Sequence, residues 1–234
     1  MSINEINDFY DYYDDVKGYQ TPVIKKKHLR WYDTEYWIPA EATIDTSVLE
    51  LGCGTGEFLS YLEAKGVKRY LGVERDAKAV AVLPDNIQSK TKVADIWDYL
   101  TTAENQTPFD HIVLLDVLEH FTIVEGAKLL AGLDPLLNKG GLIFIRVPNM
   151  GSPWGGMNQY ADLTHKAAYG PNNLGQLAMA TGFTAVKFLG QTRGPWIRRV
   201  TQSLLHGILG RMLVTSPVVW TPNMIAVLKR ASEV

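Results

Sequence analysis

The feature of the sequence that most constrains the fold is a set of closely spaced glycines between a short apolar segment and an amphipathic one. The segment VLELGCGTGEF at 48–58 places Glu50, Gly52, Gly54 and Gly56 in the pattern acid-x-Gly-x-Gly-x-Gly. Glycine is required where the backbone turns sharply or comes close to a ligand, because a Cβ there would clash. The segment therefore predicts a strand, a tight turn and a helix whose first N–H groups face a ligand.

From about residue 46, short β-rich runs alternate with amphipathic stretches of helix length, a pattern typical of βαβ units and a parallel sheet. Strands are predicted at 47–51, 69–74, near 90–94, 111–116 and 141–148, with a final strand pair at 183–190 and 223–230. Helices are predicted at 57–65, 77–83, 123–137 and 171–181. The expected fold class is α/β: a Rossmann-like, doubly wound sheet, mostly parallel with an antiparallel last strand, in one domain over 46–234.

The segment before the first strand, residues 1–45, is rich in aromatic side chains. These are Tyr10, Tyr12, Tyr13, Tyr19, Trp31, Tyr32, Tyr36 and Trp37. We predict that this segment is an N-terminal helical cap over the mouth of the ligand site. The alternative is a helix packed on the sheet away from any ligand, because aromatic side chains fill cores as well as pockets.

Composition narrows the class of protein further. The first fifteen residues lack the basic start and apolar run of a signal peptide, so a cytoplasmic location is expected. Cys53 is the only cysteine, which excludes an internal disulfide and a cysteine metal cluster and suggests a packing residue. The formal net charge is −2, yet no acidic residue occurs between Leu163 and Ser232. That stretch would favour an anionic substrate, an acidic partner or an anionic membrane surface.

Two further acidic residues follow the next two predicted strands, Glu74 in YLGVERD and Asp95 in VADIW. The carboxyl ends of parallel strands meet at one edge of a sheet, so Glu50, Glu74 and Asp95 are expected to converge on one crevice. Glu50 suits a cationic amine, Glu74 can accept both hydroxyls of a ribose, and Asp95 can accept an adenine amine while Ile96 packs on the ring. Each acid could instead be an ordinary helix cap.

The stretch from about 48 to 147 resembles class I S-adenosylmethionine-dependent methyltransferases in LELGCGTG, GVERD, VADI, FDHIVLLDVLEH and LLNKGGLIFIRVPN. DVLEH is similar to the ubiquinone-biosynthesis type of O-methyltransferase, whereas YADLTHKAAYGPNNLGQLAMATGF and TPNMIAVLKR resemble enzymes found with bacterial surface-polysaccharide genes. Base-methylating families carry an Asn-Pro-Pro-Tyr-like run that is absent here, so no nucleic-acid partner is expected. The resemblance implies S-adenosyl-L-methionine as cofactor, bound by Glu50, Gly52, Gly54, Gly56, Phe58, Glu74, Arg75, Asp95, Ile96 and Asp116.

A hydroxyl acceptor would need a base, and two histidines lie near the predicted pocket. His120 ends the DVLEH run and His165 follows the fifth strand. We predict His165 as the base, oriented by Asp162, with His120 shaping or polarising the site. The alternative for each histidine is a structural hydrogen bond. No metal is predicted, although Asp116, Glu119, His120 or Asp162 could hold a divalent ion.

A helical insertion is predicted at about 194–214. Its apolar stripe consists of Trp196, Ile197, Val200, Leu204, Ile208 and Met212, opposite Arg199, Gln202, Ser203 and His206. A basic amphipathic helix of this kind can lie on a membrane surface, although such a stripe is more often core or a dimer face.

Together these features predict O-methylation of a sugar hydroxyl in a glycan or glycolipid precursor, with peripheral contact at the inner membrane face through 195–214. The alternative acceptors are a quinone or another small secondary metabolite. A further alternative is a non-catalytic subunit that keeps the cofactor pocket. A homodimer formed through the same helix also stays open.

Overall fold

The strands of the computed structural model, which describes residues 16, 18–102, 107–191 and 193–234, form one sheet. Within those ranges the seven strands are β1 (Val48–Leu51), β2 (Tyr70–Glu74), β3 (Thr91–Val93), β4 (Phe109–Leu115), β5 (Leu137–Pro148), β6 (Phe183–Gly190) and β7 (Asn223–Arg230). Their order is β3-β2-β1-β4-β5-β7-β6. The first five run parallel, and β7 is antiparallel to β5 and to β6. The predicted α/β fold class is confirmed.

Helices connect the strands and cover both faces of the sheet. The described α-helices are α1 (Lys26–Tyr32), α2 (Glu57–Lys65), α3 (Ala77–Ala81), α4 (Asp85–Gln88), α5 (Ile96–Thr102), α6 (Ile123–Leu133), α7 (Gly156–Gln159), α8 (Pro171–Ala180) and α9 (Trp196–Met212). α1 continues into a π-helical turn at Asp33–Trp37. None of the helices in the described ranges is both long enough and apolar enough to span a membrane.

Two predicted boundaries between α6 and β5 were wrong, and proline explains both. The helix predicted at 123–137 ends at Leu133, and Asp134–Leu136 forms a short 3-10 turn that contains Pro135. Proline has no N–H to continue the helical hydrogen-bond ladder. The chain therefore enters β5 at Leu137, four residues before the predicted start at 141.

The alternation of side chains along the strands builds two separate cores, one on each face of the sheet. Leu49, Ile112 and Ile145 belong to a cluster with α6 and α8. Their sequence neighbours Val48 and Val113 belong to a second cluster with α2 and the π-helical turn. Successive residues of a strand point to opposite faces, and a mostly parallel sheet needs cover on both. The apolar runs of the strands therefore follow from burial on two sides.

The aromatic segment before β1 packs on the second core. The Tyr36 ring meets Phe58 and Phe144 edge-on, with centroids 5.0 and 5.1 Å apart. The Tyr36 hydroxyl lies 2.8 Å from Nδ1 of His111, and both side chains are buried. Burial lowers the pKa of His111 to about 4, so its ring is neutral at neutral pH. Tyr36 thus packs this segment on the sheet and on α2, while Tyr10, Tyr12 and Tyr13 lie outside the described residues.

Removing the Tyr36 hydroxyl tests this contact. Tyr36→Phe leaves the buried His111 nitrogen without its partner, which should lower the free energy of unfolding by about 1–2 kcal/mol. Urea denaturation followed by circular dichroism measures the change. Tyr160→Phe is the matched control, because Tyr160 is 78% exposed and should change stability by less than about 0.5 kcal/mol. Equal stability of the two variants would contradict the assignment.

Candidate active site

A cavity of about 1240 Å³ opens where β1, β2 and β4 end. Its lining includes residues from every predicted cofactor segment and from 18–22, which precede α1. Tyr19 holds that segment in place, since its hydroxyl donates to Asp76 Oδ2 at 2.8 Å. Thr21 does the same through the carbonyl of Val82, also at 2.8 Å. Residues 18–22 of the predicted N-terminal cap therefore border the cavity, and a helical cap over its mouth stays a prediction.

The glycine turn forms one wall of this cavity in a conformation that side chains avoid. Gly52, Gly54 and Gly56 all have positive φ angles, of 71°, 51° and 70°. A Cβ on Gly52 would lie 2.6 Å from Val117, and one on Gly56 would lie 2.4 Å from Leu83. Gly54 lines the cavity, and a Cβ on this residue would meet none of the described protein atoms within 4 Å. The space beside Gly54 is therefore open to a ligand.

Glu50 carries an unsatisfied buried carboxylate on the same wall. Its side chain is 3% exposed, and Oε2 has no hydrogen-bond partner in the described part of the chain. Burial raises its pKa well above the ordinary value, the nearby positive charge of Arg146 opposes that effect, and Glu74 adds to it. A buried acceptor without a donor costs about 1–3 kcal/mol. A cationic amine is the group that this carboxylate lacks, so the residue fits the amino group of S-adenosylmethionine.

Glu74 links the glycine turn to β2. Oε2 accepts the N–H of Gly54 at 2.8 Å, and Oε1 accepts the N–H of Asp76 at 2.9 Å. Each carboxylate oxygen keeps a second lone pair for a ligand hydroxyl. Glu74 thus both fixes the turn and offers acceptors to the cavity, a double role that its position in the sequence did not reveal.

Asp95 combines the two roles considered for it. Its Oδ1 accepts the N–H of Trp97 at 2.8 Å, which is a cap at the start of α5. Asp95 and Ile96 also line the cavity. Arg75 lines the cavity as well. The side chains predicted to hold a nucleoside therefore share one wall.

The cavity lining also contains an ion pair that the sequence did not predict. Arg146, on β5, donates through Nε to Oδ1 of Asp116 at 2.9 Å and through Nη2 to Oδ2 at 2.6 Å. Asp116 adopts a positive φ of 58°, a strained conformation for a residue with a Cβ. The only signal for Arg146 was a charged residue in the otherwise apolar run GLIFIRVP. Phe58 and Tyr32 are both buried residues that line the cavity. Phe58 was predicted from the sequence, whereas Tyr32 was not.

The two candidate histidines lie together, with ring centroids 4.7 Å apart, but only His120 lines the cavity. His120 Nδ1 is 2.8 Å from the Thr164 hydroxyl, which donates to Oδ1 of Asp162 at 2.5 Å. His165 Nδ1 is 2.8 Å from the carbonyl oxygen of Gln159. Burial lowers the pKa of His120 to about 4. The structure thus connects Asp162 to His120 through Thr164, and orientation of His165 by Asp162 stays a prediction.

The comparison with protein families gives one match. A family model described as a methyltransferase domain matches residues 23–187, more than half of the 234-residue chain. No curated protein matches the chain.

Solved structures with the same fold are distant in sequence. An S-adenosylmethionine-dependent methyltransferase from Archaeoglobus fulgidus has 21% identity and a TM-score of 0.66, covering 95% of this chain and 100% of that one. Magnesium protoporphyrin IX methyltransferase from Synechocystis PCC 6803, with bound S-adenosylhomocysteine, has 13% identity and a TM-score of 0.60, with 98% of each chain covered. Plantazolicin methyltransferase BpumL has 19% identity and a TM-score of 0.58, covering 94% of this chain and 88% of that one.

Replacing the buried acid tests the cofactor wall. Glu50→Gln keeps the shape but removes the charge and presents an amide N–H₂ to a cationic amine. We expect affinity for S-adenosylhomocysteine, measured by calorimetry, to fall by about 1.5–3 kcal/mol, the value of a charged hydrogen bond. The free energy of unfolding without ligand should not fall, because a buried carboxylate is lost.

The matched control is Glu63→Gln, on the surface of α2, where Glu63 pairs with Lys90 at 2.8 Å. This variant should bind the ligand like the original chain. Unchanged affinity in Glu50→Gln would contradict the role of Glu50.

The family match spans the glycine turn, the acids on β1 and β2, and the His120 turn, and the sheet order agrees with the fold of the neighbouring structures. The prediction of a class I S-adenosylmethionine-dependent methyltransferase is therefore confirmed at the level of family and fold. The chain belongs to the methyltransferase domain family.

Proposed function

We propose that this chain transfers a methyl group from S-adenosyl-L-methionine to a hydroxyl oxygen, and that the acceptor is a sugar in a glycan or glycolipid precursor. The observation that carries the methyl-transfer proposal is the buried Glu50 carboxylate, whose Oε2 has no hydrogen-bond partner among the described residues and which lines a cavity bordered by the glycine turn. The neutral imidazole of His120 on the same cavity supports an acceptor that must lose a proton.

The residues around the cavity suggest a division of labour. S-adenosylmethionine, when bound, supplies a methyl group made electrophilic by the sulfonium. Glu50 would hold its amine, Glu74 its ribose hydroxyls and Asp95 its adenine. These contacts would hold the methyl donor in one position and orientation, and holding the reactants in place is a large part of such catalysis.

His120 is the group best placed to take the acceptor proton. The Thr164 hydroxyl gives its hydrogen to Asp162, so its lone pair accepts from Nδ1–H of His120. Nε2 of His120 is then the basic nitrogen of the ring. In this proposal Nε2 of His120 removes the hydroxyl proton, and the ring of His165 packs against the His120 ring. His165 was predicted as the base, but it does not belong to the residues that line the cavity.

The lining favours a hydroxyl-rich acceptor over an apolar one. Lys78, Glu125 and Lys166 border the cavity beside the cofactor acids. Charged and polar groups around a pocket suit a ligand with many hydrogen-bonding groups, whereas a quinone ring would need apolar walls. A quinone or another secondary metabolite is the second candidate acceptor. The structural neighbours include a magnesium protoporphyrin IX methyltransferase and a plantazolicin methyltransferase in complex with a monoazolic desmethylPZN analog.

Helix α9 supports a membrane-bound acceptor. None of its residues is buried, and the apolar stripe is exposed, for example Trp196 at 67%, Leu204 at 64% and Met212 at 75%. The side facing the protein carries His206, which stacks on Trp220 with centroids 4.8 Å apart. The stripe therefore points away from the domain.

The charge around α9 favours one occupant for this stripe. The stretch from Leu163 to Ser232 has basic residues but no acid, which complements anionic lipid headgroups. We therefore place a cytoplasmic enzyme at the inner membrane face, contacting it through 195–214. A homodimer through α9 is the competing outcome.

Replacing His120 tests the catalytic proposal. His120→Ala should lower the rate of S-adenosylhomocysteine formation by about 100-fold or more, which is the usual contribution of a positioned base. Affinity for S-adenosylhomocysteine should change less than about threefold. The assay uses a panel of lipid-linked saccharides, nucleotide sugars, quinols and peptides as acceptors.

The control for this experiment is His206→Ala, which should retain the rate. A quinol as the preferred acceptor would contradict the sugar assignment. Cofactor binding without turnover on any acceptor would favour a non-catalytic subunit. Unchanged turnover in both His120→Ala and His165→Ala would remove histidine from the chemistry.

Placing charge on the α9 stripe tests the membrane proposal. The double variant Leu204→Glu, Ile208→Glu should lose co-sedimentation with phosphatidylglycerol vesicles, because two buried apolar contacts are lost and negative charge is added. Val124→Glu, on α6, is the control, since Val124 is equally exposed at 65%. A wild-type chain that ignores vesicles and elutes as a dimer, which the double variant dissociates, would show that the occupant is a second copy.

A further inference from the structure

Beside the cavity, three potential metal-ligating side chains converge from two segments of the chain. Glu119 and His120 belong to the short 3-10 turn Leu118–His120 after β4, and His165 belongs to the loop that precedes α8. One ligand atom of each lies within 4.8 Å of the other two. Backbone bonds join the segments, since the carbonyl oxygen of Glu119 accepts the N–H groups of Lys166 and Ala167 at 2.8 and 3.1 Å. The cluster is therefore preformed by the fold.

Both histidine rings are oriented as metal ligands are. Nδ1 of His165 faces the Gln159 carbonyl, which can only accept, so this nitrogen carries the hydrogen. Nδ1 of His120 faces the Thr164 hydroxyl, whose own hydrogen goes to Asp162. In each ring Nε2 is then the nitrogen with the lone pair. A ligating histidine typically donates its other N–H to a carbonyl or, directly or in relay, to a carboxylate, which fixes the tautomer.

Glu119 supplies the independent sign of a missing ligand. It is 0% exposed, and neither of its carboxylate oxygens has a hydrogen-bond partner among the described residues. Buried carboxylates are ordinarily hydrogen-bonded, paired with a charge or bound to a metal. The guanidinium of Arg146, whose positive charge acts on Glu119, donates through Nε and Nη2 to Asp116 instead. The described part of the chain thus leaves the Glu119 carboxylate unsatisfied.

We propose that Glu119, His120 and His165 bind one divalent transition-metal ion at the edge of the cofactor cavity. Two imidazoles and one carboxylate form a donor set that favours ions such as Co²⁺, Zn²⁺ or Mn²⁺ over Mg²⁺, which prefers oxygen ligands and water. Three protein ligands leave a coordination position open, and His120 brings that position to the cavity. This proposal departs from the expectation from the sequence that no metal is bound, and it adds His165 to the residues considered as metal ligands.

The role of the ion rests on the proposed function. An ion at this place would bind the acceptor hydroxyl as a Lewis acid and lower its pKa, so that the proton leaves more easily. His120 Nε2 would then be a ligand, and the proton would pass to solvent or to a neighbouring base. The acceptor oxygen still forms the bond to the methyl carbon, so the reaction itself is unchanged.

Co²⁺ is the probe, because its visible absorption reports coordination by nitrogen and oxygen. The full chain, with any affinity tag removed, is stripped with a chelator and titrated with Co²⁺ without cofactor or acceptor. We expect one Co²⁺ per chain, a visible band that Zn²⁺ removes by competition, and a metal-dependent rise of the melting temperature. The same titration with Mg²⁺ should give no rise at equal concentration.

Three variants and one control locate the ion. Glu119→Gln and His165→Ala should each weaken Co²⁺ binding at least tenfold, and Thr164→Val should weaken it about 10-fold by freeing the His120 ring. His206→Ala, on α9, should bind like the original chain. Circular dichroism confirms that each variant folds, and Glu119→Gln is the conservative change in case His165→Ala does not.

The proposal is overturned if the stripped chain binds no Co²⁺, if Mg²⁺ alone binds, or if Glu119→Gln and His206→Ala bind it equally. None of these readouts uses methyl transfer. A failed metal titration therefore leaves the proposed function standing with His120 as base. Conversely, a chain without turnover on any acceptor can still bind the ion.

Discussion

The cofactor side of the molecule depends on how the glycine turn after β1 is tied to the end of β2. The N–H of Gly54 donates to the carboxylate of Glu74 at 2.8 Å, and the N–H groups of Gly52 and Cys53 donate to the carbonyl of Val73 at 2.8 and 3.1 Å, so two strand ends are fixed relative to each other. The turn can follow this path only because glycine tolerates a positive φ, and Val117 and Leu83 occupy the space a side chain would need. The arrangement leaves open space beside Gly54 and the Glu50 carboxylate facing it.

Two buried carboxylates with orphaned oxygens mark the site. Within the described residues, Oε2 of Glu50, which lines the cavity, and both carboxylate oxygens of Glu119 have no hydrogen-bond partner, and each residue is almost completely removed from water. A protein tolerates such groups where a ligand supplies the missing charge, because the folded chain alone gains nothing from them. The chemistry of the neighbours differs: Glu50 lies by backbone and nucleoside-binding acids, which suits an amine, whereas Glu119 lies by two imidazoles, which suits a metal ion.

The segments outside the strand and helix repeat adapt this fold to a particular acceptor. Residues 18–22 border the cavity, and residues 26–37 anchor them by packing on the second core through Tyr36. At the other end of the chain, α9 stacks His206 on Trp220 and exposes its apolar stripe. Neither segment contributes a strand to the described sheet. Such attachments let acceptor specificity change while the cofactor wall is kept.

The sequence alone determined the seven strands along the chain, the helices α2, α3, α6, α8 and α9, the glycine turn and the positions of Glu50, Glu74 and Asp95, whereas the short helices α4, α5 and α7 were not predicted. These depend on local periodicity, on the stereochemistry of glycine and on the rule that parallel strands end at one edge. Only the tertiary structure decided which distant side chains meet. It paired Arg146 with Asp116 and Tyr36 with His111.

The same distinction explains the histidine site. The sequence named His120, His165 and Asp162, but the contact of His165 with Gln159 and the orphaned Glu119 were visible only in three dimensions. Local patterns fix which face of an element a residue points to. The contact between the rings of His120 and His165, which lie 45 residues apart in sequence, depends instead on strand register and on the path of the loops. Burial without a partner is likewise a property of the whole packed chain, so no pattern of letters around position 119 could have shown it.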